Sequence, residues 1–380
     1  MSYNERLGGF GFAGHQLPVT KSRVTTMNLF ESIAANDHEQ VIVFQNRASG
    51  LRGFLAIHDT TLGPALGGVR IKRYASDEEA LADALRLSRA MSYKAALAEL
   101  PAGGGKTVIP LPASANDWNR VEAMEALGKM IQSLGGRYYC GTDVGITRDD
   151  LAAIGRATQY VADESLAALG DISEHTAIGV WHALRACLEF AGLGKPRVAI
   201  QGVGNVGMWL ARILHREGFP LTVADMDASR AAQAAGEFGA EIVSPDEILS
   251  VECGVLAPCA LGGVISVESA ARVRAKIVCG SANNILVSPE AGDALARRGI
   301  WYAPDYLVNA GGIIRGAEYY LSNRADSRPS LEKIYTRTKL VLERARESDM
   351  ATARIADEMA ESRLKRPKHF RDLHWGSALQ

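Results

Sequence analysis

The stretch Val198-Ala199-Ile200-Gln201-Gly202-Val203-Gly204-Asn205-Val206-Gly207 decides the fold. An apolar run of strand type leads directly into three spaced glycines, and helical periodicity follows from Met208 to His215. Gly202 would permit a tight turn, Gly204 would let the backbone approach a pyrophosphate, and Gly207 would allow close helix packing. The stretch therefore predicts a strand, a phosphate-binding turn and a helix.

A carboxylate follows this turn at the position where the ribose of an adenosine would need it. Asp225 ends the next apolar run, about 20 residues on, and could accept hydrogen bonds from both ribose hydroxyls. The alternative is that Asp225 caps the next helix, since Asp227 and Ser229 follow it. A carboxylate disfavours the additional phosphate of NADP, and no arginine or lysine occurs between Asp225 and Arg230 to bind that phosphate. We predict that NAD binds here, on Gly202, Gly204, Asn205, Val206, Gly207 and Asp225.

Strand and helix patterns alternate on both sides of the glycine turn. A helical segment from Thr176 to Gly192 precedes it, and the apolar runs Leu221 to Asp225, Val255 to Pro258 and Ile277 to Gly280 follow it. This alternation predicts a parallel, doubly wound sheet of the Rossmann type, to which we assign residues 171–329.

The residues before this domain mix strand and helix signals. Val41 to Phe44 and Gly53 to His58 are apolar runs joined by turn-prone residues, which predicts a hairpin. Ser76 and Glu79 form a capping box ahead of an amphipathic helix, and helical patterns also cover 122–134 and 151 to about 168. We predict a mixed-sheet α/β domain over residues 27–170, preceded by an extension over residues 1–26.

The length of the chain also favours two domains. A chain of 380 residues exceeds what one hydrophobic core usually serves, so we expect an α/β protein with two domains separated by a cleft. The tail has two helical, charged segments over about 330–380, and we expect them to pack back on the first domain.

Composition excludes several classes of partner. With 47% hydrophobic residues, 22% charged residues and a net charge of −1, no basic surface for nucleic acid or anionic membrane is expected. No apolar window has membrane length and no signal-peptide pattern occurs, which predicts a cytoplasmic protein. The five cysteines lack Cys-x-x-Cys spacing, and the histidines lack the spacing of metal ligands. We expect neither a disulfide framework nor a catalytic metal.

A second run of glycines, Pro101-Ala102-Gly103-Gly104-Gly105-Lys106-Thr107, lies in the first domain. It is not a P-loop, because Leu100 stands where that motif requires glycine. Lys94 follows Met91 on the apolar face of its helix, although a lysine snorkelling at a helix end would explain Lys94 equally well. Two lysines beside one apolar cleft would lower each other's pKa, which makes Lys106 a candidate general base.

Further motifs follow one another along the chain. They are Gly63-Pro64-Ala65-Leu66-Gly67-Gly68-Val69-Arg70, Met91-Ser92-Tyr93-Lys94, Gly103-Gly104-Gly105-Lys106, Thr142-Asp143-Val144, Gln201 to Gly207, Ala257-Pro258-Cys259-Ala260-Leu261-Gly262-Gly263, Gly280-Ser281-Ala282-Asn283-Asn284 and Ala303-Pro304-Asp305-Tyr306-Leu307-Val308-Asn309-Ala310-Gly311-Gly312. In this order they resemble the glutamate/leucine/phenylalanine/valine dehydrogenase family, and most of all its branch for leucine, valine, phenylalanine and tryptophan. The resemblance covers Asn28 to Arg363.

The resemblance implies NAD-dependent oxidative deamination of an L-amino acid to a 2-oxo acid and ammonia. Lys94 and Asn284, with the backbone of Gly67 and Gly68, would hold the substrate carboxylate. The cofactor would be lined on the far side of the cleft by Thr176, Cys259, Ala260, Ala282 and Asn283. Cys259 would then be no nucleophile.

The resemblance also implies that two residues carry the proton transfers. Hydride would leave Cα for the nicotinamide ring and produce an imine. Lys106 would activate the water that attacks the imine, and Asp143 would pass protons to the departing ammonia. The alternatives are a merely salt-bridged lysine and a capping aspartate.

The side-chain pocket implied by the resemblance consists of Leu66, Gly141, Ile313 and Gly316, without a charged partner. A glutamate substrate is therefore disfavoured. Glycine at positions 141 and 316 makes room for a ring, so phenylalanine or tryptophan is our first choice of substrate, with leucine or valine as the alternative. An alternative of another class is a non-catalytic NAD-binding protein.

Two features depart from the family pattern, and one further property is implied. Ser173-Glu174-His175-Thr176 lacks the usual residues before the threonine, and Arg315 is atypical. Arg315 could recognise a polar group on the substrate, or could be a surface arginine. The resemblance also implies a homo-oligomer built through the first domain.

Overall fold

The computed structural model describes residues 28–112, 114, 118–162 and 169–365. The extension predicted for residues 1–26 and the end of the tail lie outside these residues. The described chain forms two β-sheets with helices packed on them, which confirms the predicted α/β class. In these ranges no helix combines the length and apolarity that crossing a bilayer requires.

The first sheet is mixed. Its strands are β1 (Gln40–Asn46), β2 (Leu51–Asp59), β3 (Ala65–Lys72), β4 (Gly103–Pro110) and β5 (Tyr138–Gly141), in the spatial order β1-β2-β4-β3-β5. β1 and β2 form the expected hairpin, and β2 pairs antiparallel with β4, whereas β3 runs parallel to both β4 and β5. The register places Gly68 opposite Gly141, next to the part of β4 that carries Lys106.

Four helices accompany this sheet: α1 (Leu29–Ala34), α2 (Asp77–Leu97), α3 (Arg120–Ser133) and α4 (Arg148–Gly155). α2 begins as expected at Ser76, whose side chain accepts a hydrogen bond from the Glu79 amide, and it packs across β2 and β4. A Cβ atom on Gly104 would lie 2.1 Å from the backbone nitrogen of Ser92, so glycine alone lets β4 approach the helix here. This close approach draws the helix end that carries Lys94 towards Lys106 on β4.

The second sheet is entirely parallel. Its strands are β6 (Val198–Gln201), β7 (Leu221–Ala224), β8 (Glu241–Ile242), β9 (Val255–Pro258), β10 (Ile277–Val278) and β11 (Trp301–Tyr302), in the order β11-β10-β9-β6-β7-β8. The chain winds outwards from β6 in both directions, which is the predicted doubly wound arrangement. In such sheets the switch point, here between β6 and β9, is where ligands bind.

The helices between these strands are α5 (Ile172–Phe190), which precedes β6, then α6 (Asn205–Arg216), α7 (Ala228–Phe238), α8 (Val267–Ala270) and α9 (Pro289–Arg297). After β11 come α10 (Asp305–Val308), α11 (Gly311–Tyr320), α12 (Arg328–Ser348) and α13 (Thr352–Leu364). α13 packs on α2, as expected for the tail, and also on α9, while α12 packs mainly on α5. The phenol of Tyr93 donates to Glu361 at 2.7 Å, which ties α13 to α2. The C-terminal helices α12 and α13 therefore contact both halves of the molecule.

The helix predicted from residue 151 to about 168 is too long. α4 ends at Gly155, and the chain then runs beside β5, where the Cys140 amide donates to the Tyr160 carbonyl and the Ala162 amide donates to the Cys140 carbonyl. The helical prediction is therefore wrong for residues 156–162, because the helix ends in a turn and residues 160–162 pair with the sheet instead. Residues 163–168 lie outside the described ranges. The domain boundaries at residues 170 and 329 remain predictions.

Candidate active site

Glycines bring β3, β4 and the loop after β5 into close contact. A Cβ atom on Gly67 would lie 1.8 Å from the carbonyl oxygen of Gly105, and one on Gly68 would lie 2.3 Å from that of Thr142. Neither position can hold a side chain without moving the backbone opposite. The main chain of Gly67 and Gly68 is therefore held beside the loop that carries Asp143.

Lys106 and Asp143 form an ion pair at this point. Lys106 is 5% exposed, and its Nζ lies 2.7 Å from Oδ2 of Asp143. Burial lowers the pKa of Lys106, although the charge of Asp143 opposes the shift. Burial alone would raise the pKa of Asp143, but the positive charges of Lys106 and Arg70 outweigh it and bring that pKa to about 2. The pair thus joins an ammonium with a lowered pKa to a carboxylate that stays ionised.

Arg70 also binds Asp143, and the sequence analysis assigned it no role. Its Nε donates to Oδ2 of Asp143 at 2.8 Å, and its Nη2 donates to Oδ1 at 3.4 Å. Its Nη1 donates to Oδ2 of Asp83 at 3.1 Å. The signal available in the sequence was a charged residue only two positions after Gly68, inside a strand whose other side chains are mostly buried.

Lys94 reaches from the end of α2 to the second half of the molecule. Its Nζ donates to Oδ1 of Asn283 at 3.3 Å. Burial and the positive charge of Lys106 lower the pKa of Lys94 to about 8, against the opposing charges of Asp305 and Asp143. The two lysines therefore lie close enough to influence each other's protonation.

Two buried side chains without an assigned role lie behind Asn283. Nδ2 of Asn309 donates to Oδ1 of Asn283 at 2.9 Å and to the carbonyl oxygen of Ser281 at 3.1 Å. The carboxylate of Asp305 accepts from the Ile285 amide at 2.9 Å, and burial raises its pKa. Both residues belong to the motif 303–312, so the sequence marked the segment without indicating what its polar side chains do.

The neighbouring asparagines Asn283 and Asn284 lie in different surroundings. Asn284, the candidate for the substrate carboxylate, has a positive φ of 54° and is exposed. Asn283, expected to line the cofactor, is the asparagine that contacts Lys94. The roles of both in binding remain predictions.

The glycine turn after β6 has the shape of a phosphate cradle. Gly202 has a φ of 90°, and a Cβ atom on it would lie 2.5 Å from that of Ala260. A Cβ atom on Gly207 would lie 2.1 Å from the Gly202 carbonyl oxygen. Gly204 caps α6 without a side-chain hydrogen bond, and Arg230 Nη1, at 3.6 Å, is the nearest atom to a Cβ placed there. The amides of the first turn, with Asn205 and Val206, are thus open to an anion.

Asp225 lies at the carboxyl end of β7, directly beside this turn. Its Oδ2 accepts from the Val203 amide at 2.8 Å, and its Oδ1 accepts from the Asp227 amide at 2.9 Å. Asp227 is the residue that caps α7, accepting from the Ser229 amide at 3.0 Å. The alternative reading of Asp225 as the helix cap is therefore wrong.

The remaining cofactor candidates follow the carboxyl ends of strands in the second sheet. The Cys259 amide donates to the Gln201 carbonyl at 2.7 Å, and the Ala282 amide donates to the Pro258 carbonyl at 3.0 Å. Thr176 lies in the first part of α5. Burial raises the pKa of the Cys259 thiol, which disfavours the thiolate that a nucleophile needs.

The four residues of the predicted side-chain pocket lie on three elements. Leu66 is on β3 and Gly141 ends β5, while Ile313 and Gly316 lie one turn apart on α11. The nearest atom to a Cβ placed on Gly141 is the Ala162 Cβ at 3.4 Å. A Cβ on Gly316 would meet no atom within 4 Å among the described residues. Gly316 therefore borders space among the described residues, whereas a Cβ at Gly141 would be in van der Waals contact with Ala162.

The two departures from the family pattern have structural explanations. Arg315 is 3% exposed, and it donates to the carbonyl oxygens of Leu169 at 3.0 Å and Arg324 at 3.2 Å. It is therefore not a surface arginine, and its Nε and Nη1 bind main-chain oxygens. Ser173-Glu174-His175-Thr176 lies at the start of α5, where Asp171 accepts from the Ser173 amide.

The fold and this site together define a class of protein. A doubly wound sheet with an open glycine turn, joined to a second domain with a buried lysine–aspartate pair, is the architecture of a dinucleotide-dependent dehydrogenase.

Comparison with known proteins identifies the family. A family model described as "Glu/Leu/Phe/Val dehydrogenase, dimerisation domain" matches residues 38–166, and one described as "Glutamate/Leucine/Phenylalanine/Valine dehydrogenase" matches residues 221–361. The chain belongs to this family and is an amino-acid dehydrogenase, an oxidoreductase whose relatives use NAD or NADP. This excludes the alternative of a non-catalytic protein that only binds NAD.

Three relatives illustrate the similarity. Leucine dehydrogenase of Geobacillus stearothermophilus is 46% identical over 89% of this chain and 94% of its own length. Phenylalanine dehydrogenase of Bacillus thermotolerans is 40% identical over 91% of this chain and 94% of its own. The crystal structure of L-tryptophan dehydrogenase from Nostoc punctiforme superposes with a TM-score of 0.77 at 38% identity, covering 88% of this chain and 98% of that one.

Proposed function

We propose that the protein catalyses the NAD-dependent oxidative deamination of an apolar L-amino acid to its 2-oxo acid and ammonia, with phenylalanine or tryptophan as the preferred substrate. The observation that carries this proposal is the convergence of Lys94, Lys106 and Asp143 beside a glycine-lined surface. These residues come from a helix, a strand and a loop that are far apart in the sequence. Two ammonium groups and one carboxylate match the charges of an amino acid and the proton transfers of its deamination.

The residues at the glycine turn fit a dinucleotide. Gly202 and Gly207 permit the close packing of the turn, Gly204 leaves its outer side without a side chain, and the uncapped start of α6 offers amides to a pyrophosphate. Asp225 lies where it would accept the ribose hydroxyls, which favours NAD over NADP. Thr176, Cys259, Ala260, Ala282 and Asn283 would line the rest of the cofactor. NAD, when bound, supplies a nicotinamide ring that accepts a hydride from Cα of the amino acid.

Substrate binding would use positive charge and backbone donors together. The ammonium of Lys94 would bind the substrate carboxylate, with the main chain of Gly67 and Gly68 and the side chain of Asn284 completing its contacts. The lowered pKa of Lys94, about 8, follows from its burial, and the negative charge of a bound carboxylate would offset the cost of burying the ammonium. The hydrogen bond from Lys94 to Asn283 holds the ammonium in place while the substrate is absent.

Lys106 and Asp143 would carry the proton transfers. The lowered pKa of Lys106 makes it a base that can take a proton from the water attacking the imine carbon. Asp143, ionised and 2.7 Å from that ammonium, would receive the proton and pass it to the departing nitrogen. Because Nζ and Oδ2 are in direct contact, the proton would pass between the two groups without a rearrangement of the site.

The space beside Gly316 among the described residues supports an aromatic substrate, since a ring needs volume, and the lack of a side chain at Gly141 leaves that side of the predicted pocket without added bulk. A second candidate, leucine or valine, is favoured by a different observation: the leucine dehydrogenase of Geobacillus stearothermophilus is 46% identical to this chain. The two kinds of substrate differ in the size and shape of the side chain, and a difference the size of one methylene group changes selectivity by about 1–3 kcal/mol.

We further propose a homo-oligomer built through the first domain. β1 is the outer strand of the first sheet, and its Val43 is 65% exposed, while Phe30 on the nearby α1 is 80% exposed. An edge strand that has no outer partner among the described residues and that carries exposed apolar side chains is a surface that a second copy would cover. Light scattering of the purified protein tests this, and a monomer at micromolar concentration would contradict it.

Initial rates of NADH formation with L-phenylalanine, L-tryptophan, L-leucine, L-valine and L-glutamate test the proposed function. We expect the highest kcat/KM with an aromatic substrate, release of one ammonia per NADH, and negligible rates with glutamate. Higher kcat/KM with leucine or valine would favour the second candidate. Absence of NADH formation with all four apolar amino acids would reject the proposed function.

A further inference from the structure

Arg70 binds Asp143 of the Lys106–Asp143 pair through two hydrogen bonds, and neither the sequence motifs nor the reaction gives it a task. We propose that Arg70 is a positioning residue, whose planar guanidinium fixes the carboxylate of Asp143 in the orientation that Lys106 and the substrate amino group require. This inference rests on the proposed function, because it concerns how the same pair is held.

The geometry of the guanidinium supports this assignment. Nε and Nη2 of Arg70 point to the two carboxylate oxygens of Asp143, at 2.8 and 3.4 Å, which fixes the plane of the carboxylate as a single contact would not. Oδ2 of Asp143 accepts from both Arg70 and Lys106, whereas among the described residues Oδ1 has only the longer contact with Arg70. Oδ1 is therefore the oxygen placed to exchange a proton with the substrate.

Arg70 is itself held from its other side. Its Nη1 donates to Oδ2 of Asp83, 3.1 Å away on α2, and Asp83 also accepts from the phenol of Tyr74 at 2.7 Å and from Arg86 at 2.6 Å. The side chains of Arg70, Asp83 and Asp143 are only 17%, 10% and 18% exposed. A guanidinium anchored at both ends and shielded from water cannot swing away from Asp143 without leaving buried charge unpaired.

Four charged side chains follow one another in space, from Lys106 through Asp143 and Arg70 to Asp83, and their charges alternate. Lys106, Asp143, Arg70 and Asp83 carry positive, negative, positive and negative charge in turn, so each charge faces an opposite one. The ionisable groups that act on the pair from the surrounding elements are Arg70 on β3, Asp83 and Lys94 on α2, Tyr74 before α2, and Tyr138 on β5. Among these, Arg70 is the cation in direct contact with Asp143, and its charge lowers the pKa of Lys106.

Removal of the guanidinium has two separable consequences. Loss of its positive charge weakens one of the effects that lower the pKa of Lys106, so the pair gives up its proton at higher pH. Loss of its planar contact leaves Asp143 free to rotate, which slows proton transfer at every pH. A purely structural arginine would lower the amount of folded enzyme without changing the pH profile.

The experiment compares Arg70→Gln, Arg70→Lys and the wild type, with kcat and KM measured across the pH range. In Arg70→Gln we expect kcat to fall about 100-fold, the effect typical of a misplaced catalytic group, with less change in KM for the amino acid. We also expect the acid limb of its kcat profile to move to higher pH by about one unit. Arg70→Lys keeps the positive charge but lacks the two parallel N–H donors of a guanidinium. Its kcat should therefore fall while the acid limb stays near that of the wild type.

Arg120→Gln is the matched control. Arg120 forms a comparable two-bond pair with the buried Asp150 in the same half of the molecule, and it also donates to the Gly145 carbonyl oxygen at 2.6 Å, in the loop after Asp143. Its charge has no ion pair or hydrogen bond with Lys106 or Asp143 among the described residues. This variant should lose stability but retain the wild-type pH profile. Affinity for NADH, measured by fluorescence, and circular dichroism show whether each variant is folded.

Each outcome decides the inference. Wild-type kcat in Arg70→Gln, or a loss of activity with the same unshifted profile as Arg120→Gln, would overturn it. If Arg70→Gln does not fold, Arg70→Lys and Asp83→Asn decide. Both variants keep a positive charge at position 70 but weaken the hydrogen bonds that fix its orientation towards Asp143. Unchanged kcat in both would overturn the inference. If the wild type deaminates no apolar amino acid, it is the proposed function that fails, whatever the variants do.

Discussion

Nζ of Lys106 and Oδ2 of Asp143 lie 2.7 Å apart, although β4 and the loop after β5 that carry them are separated by the whole of α3. The contact exists because Gly67, Gly68 and Gly105 have no side chains, so that the strands and the loop approach closely. The pair brings a proton acceptor and a proton carrier into direct contact, and several consequences can be measured.

Lys106→Ala removes the group proposed to activate water. We expect kcat to fall about 10²- to 10⁴-fold, the usual contribution of a general base, while affinity for NADH is unchanged. Lys129→Ala, an exposed lysine on α3, is the control and should behave as the wild type. Full deamination by Lys106→Ala would show that Lys106 is not the base.

The charge of Lys94 predicts how KM depends on pH. Burial lowers the pKa of Lys94 to about 8, so its ammonium is present below that pH and is lost above it. The KM for the amino acid should therefore rise as the pH increases beyond about 8. In Lys94→Arg, whose guanidinium stays charged, KM should be nearly constant up to about pH 10. Equal pH dependence of KM in both proteins would contradict the role of Lys94.

Gly316→Val fills the space beside α11. Because a Cβ at this position meets no atom among the described residues, the variant should fold, and its methyl groups should exclude a ring. We expect the ratio of kcat/KM for phenylalanine to that for leucine to fall about 10-fold or more. Gly236→Ala, an exposed glycine within α7, is the matched control and should leave the ratio unchanged. An unaltered ratio in Gly316→Val would place the pocket elsewhere.

Asp225→Ser tests the choice of cofactor. Loss of the carboxylate removes hydrogen bonds to the ribose of a kind worth about 1.5–3 kcal/mol, so kcat/KM for NAD should fall about 10- to 100-fold. The preference for NAD over NADP should fall at the same time, since Arg230 lies close to the turn. Asp227→Ser removes the adjacent carboxylate but keeps a helix-capping oxygen, and it should retain NAD preference. An Asp225→Ser variant that prefers NAD over NADP as strongly as the wild type would refute the assignment of Asp225 to the ribose.

The parallel sheet was predictable because its signals are local. The apolar run 198–201, the three glycines and the helix after them each follow from a few neighbouring residues, and the structure has all three in the expected order. The hairpin of β1 and β2 and the start of α2 at Ser76 were predictable for the same reason. The helix beyond Gly155 was not, because pairing with Cys140 is a long-range contact that overrides local helical preference.

The candidate site was predictable only in part. Lys94, Lys106 and Asp143 were recognised through motifs, but their motifs do not indicate which side chains support them. Arg70, with its bonds to Asp143 and Asp83, was missed, since nothing in a single sequence pairs a strand arginine with carboxylates 73 and 13 positions away. The burial of Arg315 was missed for a similar reason, because Leu169 and Arg324 bind it through carbonyl oxygens, which carry no side-chain signal.

The amino-acid sequence alone determined the chemistry available to this protein: the glycine turn, the family motifs and the types of ionisable side chain. The tertiary structure decided which of those groups meet, because hydrogen bonds and ion pairs act over a few ångströms. Distances of that size between residues far apart in the chain are set by the packing of strands and helices. The contact of Lys94 with Asn283, and the row of charges from Lys106 to Asp83, exist only after that packing is complete.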